Sequence, residues 1–217
     1  MINRIDIVYE DPQLLVVNKP AGFPVHGTYD STREHVQGIL ERQLNQKLVL
    51  FHRLDADTTG LLALGRDPSI NKQMTDIFRD REVRKIYWAV VDGRWPEETS
   101  DITTFIDKVG GKWANVPKGR GAPTARTLFR TLKTNGDRTW LEAELMTGRT
   151  HQIRLHCQSM KHSVLGDPLY GRRDLKGVPM ALHARTLEFK HPTTGVMLKL
   201  EAPTPDYWDD YWLKGLK

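Results

Sequence analysis

Apolar positions along this chain fall into short runs and alternations rather than long helical stripes. Ile5 to Tyr9 and Leu14 to Asn18 have the length and composition of strands, joined by the turn Glu10-Asp11-Pro12-Gln13. Lys19 to Gly27 is too rich in Pro and Gly for regular structure and reads as a shaped loop. Ser31 and Glu34 form a capping box, and Val36, Ile39, Leu40 and Leu44 follow at helical spacing, which predicts an amphipathic helix to about Gln43. Two further apolar runs, Leu48 to Phe51 and Leu61 to Leu64, predict buried strands with a polar turn between them that carries Asp55. Asp67-Pro68 opens a second helix that buries Ile70, Met74, Ile77 and Phe78.

Arg84 to Val91 alternates, with Ile86, Trp88 and Val90 on one face and Lys85, Tyr87, Ala89 and Val91 on the other. Residues 108–125 have no period and many breakers, so a basic, mobile loop is expected there. Arg126 to Leu132 and Trp140 to Leu145 predict a hairpin around Asn135-Gly136-Asp137. Thr150 is placed to cap a helix from His151 to about Lys161, with Ile153, Cys157 and Met160 as its buried stripe. The last strands are Leu182 to Phe189 and Val196 to Leu200, and Tyr207, Trp208, Tyr211 and Trp212 recur at helical spacing in a tail that packs on the body. Strands outnumber helices and hairpins dominate, so the expected class is α+β, a mixed and largely antiparallel central sheet flanked by a few helices.

Composition narrows this picture only a little. A chain of 217 residues can bury a substantial core, and 32 basic against 27 acidic residues give a formal charge of +5. That excess suits attraction to phosphate backbones and suits an ordinary basic protein equally well. Cys157 is the only cysteine, which excludes an intramolecular disulfide and a Cys-rich zinc site and fits a reducing, cytoplasmic setting. No apolar run approaches the ~20 residues of a membrane span, and the N-terminus has no signal-peptide core.

On residue chemistry alone, Asp55 is either a turn former or a carboxylate displayed on a rigid mount, with Arg53 two positions before it. His52, His151, His156 and His183 invite a metal reading, but His151 and His156 are five apart and miss the helical spacing that brings ligands together, so no metal is expected. Asp55 and Asp57 sit too close in one turn to straddle a glycosidic bond at ~5 Å. Arg149 beside the helix entrance at Thr150 forms a candidate phosphate seat. Lys108, Lys112, Trp113, Lys118 and Arg120 in the basic loop could close on RNA by stacking and phosphate contacts, and a solvated surface loop explains the same residues almost as well.

The string His52-Arg53-Leu54-Asp55 followed by Thr58-Thr59-Gly60 resembles the active-site signature of the RluA family of pseudouridine synthases, with Thr59 where the family usually has Ser. Four more strings match in the family's order: Asn18-Lys19-Pro20-Ala21-Gly22 with Val25-His26; Lys85-Ile86-Tyr87-Trp88-Ala89; Gly148 through His156; and Leu165-Gly166-Asp167 with Tyr170-Gly171 and Leu182-His183-Ala184. The resemblance implies the pseudouridine synthase fold over 1–217, a single catalytic domain that can form two lobes around a catalytic cleft. It implies the short form, which starts at the first catalytic strand without an N-terminal S4 RNA-binding domain.

The same resemblance implies isomerisation of uridine to pseudouridine in a tRNA or rRNA stem-loop, with base flipping, no cofactor and no obligate protein partner. Asp55 takes the catalytic role, Tyr87 packs against the target base, and Arg154 pairs with the aspartate and keeps it ionised. Arg53, with His52 beside it, fills the gap left by the flipped nucleotide or contacts its phosphate. Two rival readings stand beside this one: a non-catalytic RNA binder on the same fold, and a metal-dependent phosphoesterase.

Overall fold

The computed structural model describes residues 4–27, 32–119 and 121–216. In chain order the strands are β1 (Asp6–Glu10), β2 (Leu14–Lys19), β3 (Val49–Leu50), β4 (Thr59–Gly65), β5 (Arg84–Asp92) and β6 (Thr99–Val109). They continue with β7 (Lys112–Val116), β8 (Thr124–Thr134), β9 (Arg138–Leu145), β10 (Leu182–Lys190) and β11 (Met197–Glu201). The helices are α1 (Val36–Leu44), α2 (Asn71–Arg79), α3 (Gln152–Ser159) and α4 (Tyr207–Tyr211). The chain forms two units, Met1–Lys85 with Ala184–Thr204, and Ile86–His183 with Pro205–Lys217. The class is α+β, with mostly antiparallel strand pairing, as the pattern of short apolar runs implies.

In the first unit the strand order is β1-β2-β4-β10, with β3 added to β4 and β11 to β10. β2 and β4 run antiparallel, with Leu15 opposite Leu64 and Val17 opposite Leu62. Every residue of β4 is buried. Such an uninterrupted apolar run means that both faces of the strand are covered, which is why it shows no alternation in sequence. Leu14, Val16, Leu61 and Ala63 join Ile70, Met74, Leu187 and Phe189 in one core cluster. At about 1.5 to 3 kcal/mol for each fully buried aliphatic side chain, this cluster holds β4 firmly.

The capping box expected at Ser31 and Glu34 gives way to a different start. Ser31 lies outside the described residues, Glu34 pairs with Arg42, and His35 is the N-cap of α1, its Nδ1 accepting from the Gly38 amide at 3.1 Å. A ring nitrogen does here what a hydroxyl usually does, so the letter pattern misplaced the cap. Asp67 does cap as read: it accepts from the Ser69 amide at 2.7 Å and opens a 3-10 turn that leads into α2.

In the second unit the order is β5-β9-β8-β6-β7, each neighbouring pair antiparallel. The loop expected over 108–125 is corrected: β6 and β7 form a hairpin in which Val109 pairs with Lys112 across Gly110-Gly111. Both glycines have positive φ, 57° and 80°, the conformation that a two-residue hairpin turn demands. The glycines read as breakers are therefore the turn itself. Side chains anchor this hairpin to α3: Thr104 bonds His156 Nε2 at 2.9 Å, and Asn115 donates to the Leu155 carbonyl at 3.1 Å.

α3 is shorter than expected and is not capped by Thr150. Its N-cap is His151, at φ 55° with no side-chain cap bond. Gln152 takes over the entrance instead, its Oε1 accepting from the Arg149 amide at 3.0 Å and the Thr147 hydroxyl at 2.6 Å. The C-terminal tail packs as its aromatic spacing implies, burying Trp208, Trp212 and Leu213, with Trp208 edge-on to His183 at 5.9 Å. Among the described residues no helix is long and apolar enough to cross a membrane.

Candidate active site

In the first unit, the antiparallel pair β3 and β4, with Leu50 opposite Leu64, carries the turn that holds Asp55. The Thr58 amide donates to the Asp55 carbonyl at 3.1 Å and closes that turn. Gly60 then enters β4 at φ 104°, and a Cβ placed on it would lie 2.3 Å from the Ala184 carbonyl oxygen. Only glycine lets the backbone of β10 approach so closely. Asp55 is thus carried on a short loop whose exit is fixed by a fully buried strand.

Two side chains that the sequence left without a structural role tighten this mount. Lys19, 1% exposed, turns its ammonium inward and donates to the carbonyls of Pro20 at 2.7 Å, Phe23 at 2.9 Å and Ala56 at 2.7 Å. The Gly22 amide also donates to Ala56, at 2.9 Å. The Pro-Gly loop after β2 and the Asp55 turn are therefore bound together from within. Burial pulls the Lys19 ammonium down to about 7, against the opposing pull of the Asp57 and Asp55 carboxylates.

His52 has the second role. Its Nε2 accepts from the Ala63 amide of β4 at 2.9 Å, and its ring stacks on Phe78 with centroids 4.6 Å apart. β3 is only two residues long and pairs with Leu64 and Gly65, so the imidazole supplies the next acceptor along the same edge of β4. Burial pushes the ring down to about 3, with the nearby Lys85 cation adding to the effect, which fits a neutral acceptor. Arg53, the next residue, is exposed.

In the second unit, Tyr87 lies on β5 opposite Ala143 of β9 and is 8% exposed. Arg154, 3% exposed, rises from α3 and makes a two-point contact with Asp167, Nε to Oδ2 and Nη2 to Oδ1, both at 2.8 Å. Its guanidinium also lies over the Tyr170 ring, 5.1 Å from the centroid. Burial raises the Asp167 carboxyl, but Arg154 and the amides of Tyr170 and Leu169 outweigh it and hold the group below the usual carboxylate range. The contact uses two of the five N–H donors of the guanidinium. Asp167 stood in a quoted motif with no role; a buried arginine calls for such a carboxylate.

The expected RNA-contacting residues are more scattered. Arg149 is exposed, and its Nε donates to the Thr124 carbonyl at 3.2 Å. Its backbone amide is taken by Gln152, so the phosphate seat expected at the helix entrance loses one of its donors. Lys112 and Lys118 are exposed, and Arg120 lies outside the described residues. Trp113 is half-buried against Ile106, Ala125 and Leu155, with the Lys108 ammonium 5.3 Å above its ring. His151 meets the Tyr170 hydroxyl at 2.8 Å, and His156 bonds Thr127 at 3.0 Å.

The family model of the RNA pseudouridylate synthases matches residues 13–159. The chain belongs to this family. An RNA pseudouridine synthase of Synechocystis is 34% identical over 219 residues, which cover 94% of this chain and 67% of that one. Ribosomal large subunit pseudouridine synthase D of Zymomonas mobilis is 35% identical over 224 residues, covering 93% and 69%. Among solved structures, human RNA pseudouridylate synthase domain containing 4 superposes with a TM-score of 0.78 at 26% identity, covering 94% of this chain and 90% of that one. The protein is an RNA pseudouridine synthase, an isomerase acting on RNA, and the RluA-family resemblance of its sequence motifs stands.

Proposed function

We propose that this synthase converts specific uridines of a folded tRNA or rRNA to pseudouridine, using Asp55 as its catalytic carboxylate. The observation that carries the reading is the mounting of the Asp55 turn. One end is fixed by Gly60 and the buried β4, the other by the His52 bond to Ala63, and the middle by Lys19. A carboxylate held this way keeps its position when substrate arrives, which is what a nucleophile or electrostatic partner needs.

The reaction breaks the bond from ribose C1′ to N1 of uracil, turns the freed base and joins its C5 to the same carbon, while the hydrogen at C5 leaves as a proton and the freed N1 takes one up. Oxidation state is unchanged, so the chain's own acids, bases and cations suffice. In this reading Asp55 acts at C1′ or stabilises its positive charge, and Tyr87 offers a flat face to the loose base. Arg154, oriented by Asp167, supplies a fixed positive charge to the reaction. The target nucleotide is flipped out at a cost of a few kcal/mol, which Arg53 offsets by occupying the vacated space or binding the phosphate. The exposed Lys112, Lys118 and Arg149 add phosphate contacts. A relative that carries the name ribosomal large subunit pseudouridine synthase supports rRNA as the substrate, and the cytoplasm is then the place of action.

The test is a map of pseudouridines by carbodiimide-blocked reverse transcription in cells that lack the gene. One or more stops should vanish on deletion and return with the wild-type gene but not with Asp55→Asn. Full return with Asp55→Asn would overturn the reading.

A further inference from the structure

Three features of the first unit have no part in the mount of Asp55. Arg81 stands just beyond the C-terminus of α2 at φ 64°. The Glu82 amide donates to the Ile77 carbonyl at 3.0 Å, the bond that closes a helix through a left-handed residue. Glycine adopts this conformation without steric cost, whereas arginine is rare there. A second feature is Lys85, half-buried near the start of β5 and four residues beyond Arg81 across the short connection from α2, where the two like charges repel. Among the described residues the side chains of Arg81 and Lys85 have no hydrogen-bond or ion-pair partner.

The third feature is where the local carboxylates go. Asp76 pairs with Lys72 and Arg79, Asp80 with Arg79, and Glu188 faces Arg84. Glu82 is exposed and pairs with neither cation. Two cations are therefore held near each other without a counter-charge, one in a conformation that disfavours its side chain and one with its charged end drawn out of water. Strained residues and desolvated like charges of this kind mark places where a ligand supplies what the protein withholds. The cluster also borders the Asp55 mount, because Phe78, three residues before Arg81, stacks on the ring of His52 with centroids 4.6 Å apart, and the Lys85 charge acts on the same ring.

We propose that Arg81 and Lys85 form a phosphate clamp that grips the RNA backbone next to the nucleotide presented to Asp55. This rests on the proposed function, which it deepens by naming a backbone contact made by Arg81, outside the quoted motifs, together with Lys85, a motif residue to which no role had been given. Lys85 supplies a compact charge from a partly dry position, and Arg81 reaches from the surface with a planar fork that suits phosphate oxygens. Burial and the neighbouring Arg81 lower the affinity of the Lys85 amine for its proton, and a bound phosphate would reverse that effect.

The test measures binding of a 5′-labelled RNA stem-loop with uridines in its loop, over a series of salt concentrations, by full-length protein. Wild type is compared with Arg81→Gly, Lys85→Met and Lys199→Gln, the last an exposed lysine on β11. The slope of log affinity against log salt should fall by about 0.7 to 0.9 in each clamp variant and stay unchanged in Lys199→Gln. Arg81→Gly should unfold at the same temperature as wild type or a higher one, which separates the lost contact from a damaged fold. An unchanged slope in both clamp variants, or an equal fall in Lys199→Gln, would overturn the clamp.

Pseudouridine formation is scored in parallel on RNA from a strain lacking the gene. Isomer formed by wild type with clamp slopes unchanged sinks the clamp alone. Slopes that fall in both variants with no isomer formed sustain the phosphate contact and sink the functional reading, and with it the place of that contact beside a presented nucleotide.

Discussion

His52 offers the sharpest test of how the Asp55 turn is held. Replacing it with leucine removes the acceptor of the Ala63 amide, which is fully buried and bonded at 2.9 Å. An unsatisfied buried amide costs about 1 to 3 kcal/mol. Loss of the stacked contact with Phe78, at 4.6 Å between centroids, adds about 0.5 to 1.5 kcal/mol. His52→Leu should therefore lose roughly 2 to 4 kcal/mol at pH 7.5, and His52→Gln, whose Oε1 falls near the position of Nε2, should recover the hydrogen-bond share.

The same contact sets a pH dependence. The folded ring is pushed from 6.5 down to about 3, so between these values the unfolded chain binds a proton that the folded chain refuses. Wild type accordingly loses stability as pH falls from 6.5, by about 1.4 kcal/mol per unit, or about 2 to 3 kcal/mol by pH 4.5. Burial lowers His156 to about 4, which adds a loss of the same sign to wild type and variant alike. Urea unfolding at pH 7.5 and 4.5 isolates the His52 share, because wild type should lose that amount relative to His52→Gln on acidification, so that its lead of about 0.5 to 1.5 kcal/mol at pH 7.5 turns into a deficit at pH 4.5. Parallel losses in the two proteins would refute the assignment of His52 as a neutral acceptor.

Other substitutions probe the remaining supports. Gly60→Ala puts a methyl 2.3 Å from the Ala184 carbonyl and should abolish soluble, folded protein, as read by yield and circular dichroism. Lys19→Met leaves the Pro20 and Phe23 carbonyls without the ammonium and should cost about 2 to 6 kcal/mol in urea unfolding, with kcat falling more than KM changes. Asp167→Ala removes the two-point carboxylate contact of the buried Arg154 guanidinium and should cost about 3 to 5 kcal/mol. The double variant Arg154→Met with Asp167→Leu should regain most of that stability in the same unfolding assay while RNA isomerisation stays lost.

The strands were legible because their apolar runs are short, bounded by turn residues and, in β4, unbroken. The Asp55 turn was visible for the same reason. What escaped was carried by side chains acting out of type. His35 caps a helix in place of Ser31, and His52 extends a strand edge rather than meeting RNA through that nitrogen. Gln152 closes a helix entrance that Thr150 was expected to cap. The hairpin of β6 and β7 was hidden by its polar surface and by glycines that break one pattern and make another. Lys19 and Asp167 were present in quoted motifs, but their inward-facing contacts join residues 37 and 13 positions away, which spacing alone does not reveal.

The central claim concerns one carboxylate. Because the new bond forms at C5, RNA carrying tritium at C5 of uridine releases one tritium to water for each pseudouridine made. Purified wild type incubated with such RNA from a strain lacking the gene should release tritium to a plateau. Asp55→Asn should bind the same RNA with unchanged affinity and release none. Tritium release by Asp55→Asn at the wild-type rate would contradict the account.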